Sequence, residues 1–241
     1  MKNSNKMTFW EHLDELRIRI IFCIISIVFF SSFFYFFADQ IYNFILEPIR
    51  SENLSNISEV FTSLTSPFFL NIQVSFFCGL FFSVPVILYN IFRFVYPAVG
   101  KINFLSLLSA LFFSIILFVV GVYLSYSTII PLSVSFFTSF NDQNQGITMI
   151  LSINSLISFF TSIMFFAGVV FQGPIIVVFL SRLKILTASQ MAEKRRYAVL
   201  SFFIFAAFIS PPDVVSQIIL ASIMILLYEV CIFIMRFFNK R

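Results

Sequence analysis

The segment FWEHLDELRIR, residues 9–19, sets three carboxylates, Glu11, Asp14 and Glu15, beside two guanidinium groups, Arg17 and Arg19. It also carries the chain's only tryptophan, Trp10, and its only histidine, His12. Two chemistries fit. Carboxylates grouped this way can receive guanidinium forks through charge-assisted, often bidentate hydrogen bonds. The spacing also suits ordinary pairs on a helix surface, Glu15 with Arg19 and Asp14 with Arg17, each worth about 0.2–0.5 kcal/mol. Trp10 reads best as an interfacial aromatic and His12 as a structural residue.

Other polar groups are sparse and sit in apolar runs. Glu229 is an acid well inside the last run. It reads either as a functional intramembrane acid or as the partner of a basic residue near the surface. Gln172 lies ten residues before Arg182, about 15 Å along a helix, which puts it near mid-membrane. Cys23, Cys78 and Cys231 all fall in apolar runs with no metal-binding spacing. They read as small hydrophobes. The sequence offers no nucleophile–base arrangement, phosphate loop or metal cluster, so an enzyme is the least fitting class and no cofactor is expected.

The elements that position these residues are membrane spans. Hydrophobic residues make up 60% of the 241-residue chain and charged residues 11%, and the mean hydropathy is +1.00. A soluble domain would carry about a quarter charged residues. Several runs reach the ~20 residues a helix needs to cross a bilayer, and none alternates with the period two of a membrane barrel. The reading is an all-α membrane protein, a single integral domain over residues 1–241. Its six spans fall at about 18–37, 68–91, 104–126, 153–180, 197–210 and 215–235. Ile41, Phe44 and Ile45 suggest a short interfacial helix after span one. Pro131 marks a loop after span three, with PLSVSFFTSF as a second interfacial piece. Pro85 breaks span two. Pro211-Pro212-Asp213 closes spans five and six into a hairpin, Asp213 capping the last helix. Span five, at about 14 residues or ~21 Å, falls short of the ~30 Å hydrocarbon core.

Six spans place both termini on one side. That side then holds every basic residue except Arg50 among the 15 in the chain, while Asp39, Glu47, Glu52, Glu59, Asp142 and Asp213 lie opposite. Basic residues favour the cytoplasmic face, so the termini point inward. The first run is preceded by acids and lacks a small-residue cleavage site, unlike a secretory signal. Phe occurs 38 times. The bias toward residues with AT-rich codons suggests an organellar or reduced genome. The mitochondrial inner membrane is the expected location, with a plastid thylakoid or bacterial plasma membrane as alternatives.

The segments EHLDELRIRI, SPFFLNIQVSFFCGLFFSVPVILYNIFRFVYPAV, GVYLSYSTIIPL, EKRRYAVL and SPPDVVSQIILASIMILLYEV together resemble the TatC family. These are the multispanning receptor subunits of the twin-arginine protein translocase. The resemblance runs from about Met7 to Arg236. It implies six helices with both ends inward, arranged as a concave, glove-like scaffold. It also implies binding of the twin-arginine signal peptides of folded cargo, recruitment of single-span TatA-like and TatB-like subunits, and transport driven by the proton-motive force. Several copies are expected in the receptor complex, embedded in a lipid bilayer; nucleic acid is not expected as a partner.

Carried over residue by residue, the resemblance assigns Glu15 to the signal's arginines. Arg17 would orient that acid or anchor the helix end, and Phe94 and Pro97 belong to the second half of the site. The family's second acid falls here on Asn103, a neutral amide that keeps hydrogen bonding but loses charge attraction. Either Glu11 and Asp14 compensate or cargo recognition is relaxed. At Gln172 the family usually has glutamate. The glutamine reads either as a hydrogen-bonding group inside the bundle or as a contact for a TatA-like helix, without the cost of a buried charge. Tyr126 and Gln217 match family positions that line the hollow face, with packing roles equally open, and Glu229 is grouped with them as a partner-helix contact. The rival class is a hydrophobic subunit of an organellar respiratory or ATP-synthase complex. It would need a mid-membrane ion-carrying residue or haem-binding histidines. A transporter of inverted repeats would need matching broken helices in the two halves.

Overall fold

In lipid every backbone N–H and C=O must find a partner within the protein, which leaves helices as the economical way to bury apolar runs like these. The computed structural model describes residues 9–51, 57–61, 63–95, 104–141, 149–182, 185–209 and 214–238. They form ten helices and one pair of short strands: α1 (Phe9–Tyr35), α2 (Ala38–Ser51), β1 (Ile57–Val60), α3 (Ser66–Val95), α4 (Phe104–Leu124), α5 (Ile130–Asn141), β2 (Met149–Ser152), α6 (Ile153–Val170), α7 (Gly173–Arg182), α8 (Ala188–Glu193), α9 (Arg195–Ile209) and α10 (Val214–Phe238). Five stretches are long and apolar enough to cross a membrane: Trp10–Tyr35, Ser66–Phe94, Leu108–Phe136, Ile153–Ser181 and Gln217–Arg236. The expected fifth span is α9, whose 15 residues rise about 22 Å, too short by the same measure.

The charged block at residues 9–19 is not a separate cap. It forms the first turns of α1, whose 27 residues rise about 40 Å, so the carboxylates stand on the same rigid rod as the apolar run. Two prolines behave differently from the sequence reading. Pro85 sits inside α3 without ending it; the helix forgoes one i→i−4 bond. Pro131 does not open a loop. Ser125–Ile129 widen into a π turn, in which Ile130 N–H bonds Ser125 O, and α5 follows directly. A π turn shifts pairing to i−5, which accommodates the N–H that proline lacks and makes room for its ring. Span four is two helices rather than one. The chain turns at Phe171–Gln172, where Gln172 N–H bonds Val169 O at 3.0 Å. Pro174 then occupies the second position of α7, where a missing N–H costs nothing.

The strands were not expected. β1 and β2 pair in parallel, Ile57 opposite Met149 through Val60 opposite Ser152. Each leads into a helix, β1 toward α3 and β2 directly into α6, so both run the same way. The pair ties the loop after α2 to the loop after α5. The amphipathic helix α2 docks on the bundle. Ile45 and Leu46 are buried with Leu70 and Val74 of α3, Ile130 and Val134 of α5, and Ile157 and Phe160 of α6. Ile129, Ile163, Ala206, Leu220 and Ala221 join α9 and α10 to this bundle.

Helix α1 leans on α3 and on no other element to a comparable extent. The two approach closely at Gly79, where an added Cβ would lie 2.0 Å from Ser31 Oγ and 2.7 Å from Ser31 N. A Gly79→Val substitution should push α1 off α3 and destabilise by about 1–3 kcal/mol, the usual cost of overpacking. The check is the unfolding midpoint in detergent. Gly173→Ala, where a Cβ meets nothing within 4 Å, should leave that midpoint unchanged.

Candidate functional site

Between α1 and α3 runs a groove of about 950 Å³. From α1 it is lined by Glu11, Asp14, Glu15, Ile18, Arg19, Phe22, Ile25, Ser26, Phe29 and Phe30, and from α3 by Val86, Tyr89, Asn90 and Arg93. The α1 positions Glu11, Glu15, Ile18, Phe22, Ile25 and Phe29 recur at steps of four and three, so they share one face of the helix. That face is acidic over its first turns and apolar beyond. At the acidic end three carboxylates meet two guanidinium groups, an excess of one negative charge.

Glu15 is fixed at the centre of this end. Its Oε1 accepts from both Nε and Nη2 of Arg19, the former at 3.1 Å. Arg19 also donates Nη1 to the backbone carbonyl of Asn90 at 3.3 Å, so the pair is tied to α3. The Arg19 side chain is only 11% exposed; a guanidinium so sheltered needs a partner. Glu15 Oε2 is shielded from solvent and accepts no hydrogen bond among the described residues. His12 Nδ1 lies 3.7 Å from it. The His12 ring stacks on Phe94 with centroids 4.2 Å apart and planes 9° apart. The structure therefore gathers Glu11, Asp14, Glu15 and, through His12, Phe94. Of the two expected ion pairs on α1, Glu15–Arg19 forms. Asp14–Arg17 does not appear among the described residues, and Arg17 is exposed and does not line the groove. Asn103 and Pro97 lie outside the described residues. The sequence reading missed Arg19 as the clamp on Glu15, along with Tyr89, Asn90 and Arg93. On α3 Arg93 donates Nη1 to the Tyr89 hydroxyl at 3.2 Å and lies 5.9 Å over its ring. The signal for the α1 face was the 3–4 spacing that continues from Glu11 through Phe29.

The four residues expected to meet partner helices do not form one cluster; each is used by a different part of the fold. Gln172 is buried, its Oε1 accepting from Ser114 Oγ and its Nε2 donating to Ser114 O at 3.1 Å. Its bonds thus lie inside the bundle. α4 and α6 are close enough for this because Gly168 faces Phe118, an added Cβ there falling 2.5 Å from the ring. Tyr126 stacks on Phe44 at 5.1 Å and donates its hydroxyl to Phe44 O at 2.9 Å, pinning α2. Gln217 donates Nε2 to Phe203 O at 3.1 Å, joining α10 to α9. Glu229 accepts from Arg195 Nη2 at 2.9 Å, which is the pairing with a surface basic residue. Among the described residues no three His, Cys, Asp or Glu side chains could hold a metal, and the three cysteines are free thiols.

The Gln172–Ser114 contact makes a prediction. Ser114→Ala leaves a buried amide oxygen short of a donor and should cost about 1–3 kcal/mol. Ser114→Ala with Gln172→Leu, which removes both groups, should recover most of it. Unfolding of the two variants in detergent checks this.

A family profile described as Sec-independent protein translocase protein (TatC) matches residues 11–222. The chain is 33% identical over 230 residues to the Sec-independent protein translocase protein TatC of Haemophilus influenzae, covering 95% of this chain and 89% of that protein. It is 32% identical over 236 residues to the protein of the same name from Carboxydothermus hydrogenoformans, covering 98% and 95%. The crystal structure of a twin-arginine translocase receptor, TatC, superimposes with a TM-score of 0.86 at 31% identity, covering 94% of this chain and 99% of that one.

Proposed function

The chain belongs to the TatC family of Sec-independent protein translocase proteins, integral membrane subunits that transport rather than catalyse, and on that premise we propose that its α1–α3 groove receives the twin-arginine signal of a folded cargo. The observation that carries this reading is the acidic mouth of the groove: Glu11, Asp14 and Glu15 open onto an apolar channel of Ile18, Phe22, Ile25 and Phe29. A segment with two arginines followed by an apolar stretch has the matching order of charge and hydrophobicity. Glu15 is the central acceptor, its Oε2 accepting no hydrogen bond among the described residues and lying 3.7 Å from His12 Nδ1. Glu11 and Asp14 add attraction that Asn103, lacking a charge, does not supply. Phe94 holds His12 against the acid, and Arg17 on the exposed side of α1 steers the helix end at the membrane surface.

The wider assembly follows the same premise. Six spans with both termini inward, α9 being the short fifth, support a glove-like scaffold to which TatA-like and TatB-like single-span subunits dock, in a complex with several copies of this chain. Gln172, Tyr126, Gln217 and Glu229 would then serve partners indirectly, by holding the helices that partners touch. The amino-acid bias supports an AT-rich genome and hence the mitochondrial inner membrane, while the two named relatives are bacterial.

Two outcomes are expected. Glu15→Gln removes a charge-assisted acceptor worth about 1.5–3 kcal/mol, so a twin-arginine peptide should bind roughly ten- to a hundredfold more weakly. Asn103→Glu should tighten binding and steepen its salt dependence; fluorescence titration at two salt concentrations reads both. For the topology, cysteines introduced at Lys184 and at Asp213 should react with a membrane-impermeant maleimide from opposite faces. Labelling from the same face would contradict six spans.

A further inference from the structure

Between α9 and α10 lies an open cavity of about 550 Å³ that the signal site does not use. We propose that it binds one anionic phospholipid, with the phosphodiester held by Arg195 and Arg236 and an acyl chain lying along Leu226, Val230 and Phe233. All five residues line the cavity. Leu226, Val230 and Phe233 are 63%, 39% and 72% exposed. Their steps of four and three put them in one stripe on α10, which continues by a further step of three to Arg236, in the last turn of the helix. An apolar stripe ending in a cation has the shape of an acyl chain beneath a headgroup.

The charges also fit one monoanion. Arg195 gives Nη2 to Glu229 at 2.9 Å, and that is its only hydrogen bond recorded among the described residues. The rest of its fork remains available to a phosphate, for which guanidinium geometry is suited. Arg236 makes neither a hydrogen bond nor an ion pair among the described residues. Two guanidinium groups and the Glu229 carboxylate leave one net positive charge, which a single phosphodiester neutralises. A partner helix with an apolar face would instead bury Arg236 without a counter-charge, a costly arrangement. Both arginines also stand at the end of the bundle where the basic residues gather, the face on which anionic lipids attract cationic groups.

The test uses the full chain purified in detergent, with lipid binding read by native mass spectrometry and thermal unfolding. Phosphatidylglycerol should bind and raise the unfolding midpoint, and phosphatidylcholine should not. Arg236→Gln leaves the Arg195–Glu229 pair intact and should weaken anionic-lipid binding about fivefold, the share of one basic residue at a lipid surface. Arg195→Gln should do the same. Arg196→Gln removes an equal charge beside the cavity, from a guanidinium that lies 5.0 Å over the Tyr197 ring, and should bind lipid like the parent. Equal binding of phosphatidylcholine, or equal loss in all three variants, would overturn the assignment. So would inorganic phosphate giving the same protection as the lipid, or a photocrosslinker at Phe233 in membranes capturing another protein chain in place of lipid.

Discussion

The Glu15–Arg19 pair, fastened to the carbonyl of Asn90, is the interaction on which the acidic end of the groove depends. Arg19 is nearly covered, and a covered guanidinium without its carboxylate would be a large penalty. The pair therefore does more than an exposed helix pair of similar spacing, which would contribute only a few tenths of a kcal/mol. It holds one oxygen of Glu15 in place and leaves the other short of a donor. α1 is otherwise supported on one side alone. Contacts along its length keep it on α3, among them the His12–Phe94 stack at the charged end, the Arg19–Asn90 bond a little further on, and, deep in the apolar part, the close approach of Ser31 to Gly79 and the Phe34–Phe82 ring contact at 4.4 Å. Between the Arg19–Asn90 bond and the approach of Ser31 to Gly79 the groove stays open.

The rest of the structure shows how a chain with few polar groups satisfies those it has. Gln172 and Ser114 close on each other where α4 and α6 touch. Tyr126 donates its hydroxyl, and Gln217 its amide N–H, to backbone carbonyls of neighbouring elements. The parallel strands join two long loops at the end where α3 and α6 begin. These contacts bind α2 through α6 into one block, with α9 and α10 packed on its side. A block of this kind can present α1 and its groove without itself being remodelled. That suits a receptor subunit better than a respiratory or ATP-synthase subunit. In such a subunit a mid-membrane carboxylate would be wanted where this chain has the neutral, satisfied Gln172.

Much of this was legible in the residues, and the misses have physical causes. Hydropathy placed the long helices because apolar runs of this length have few alternatives in lipid. It could not resolve Pro131, because a π turn absorbs a proline that would end an α-helix, or the break at Gln172, because a turn inside an apolar run leaves hydropathy unchanged. The strands escaped because four-residue segments flanked by loops carry little pattern and their pairing is non-local. At the site, the carboxylates were legible by type. The clamp was not, because i,i+4 spacing between Glu15 and Arg19 looks the same for a solvated pair and for one anchored to α3. The intrachain bonds of Gln172, Tyr126 and Gln217 were not legible for a similar reason: a polar residue in an apolar run announces a hydrogen bond, not its partner.

The most direct test of the account is where a signal peptide lies. A photocrosslinker placed in turn at Phe22 and at Tyr89, on the two walls of the groove, should capture a twin-arginine peptide, and a twin-lysine peptide should be captured far less. The same probe at Ile24, exposed on α1 but outside the groove, should capture neither. Equal capture at Ile24 and Phe22, or capture indifferent to arginine and lysine, would contradict the claim that the α1–α3 groove reads the signal.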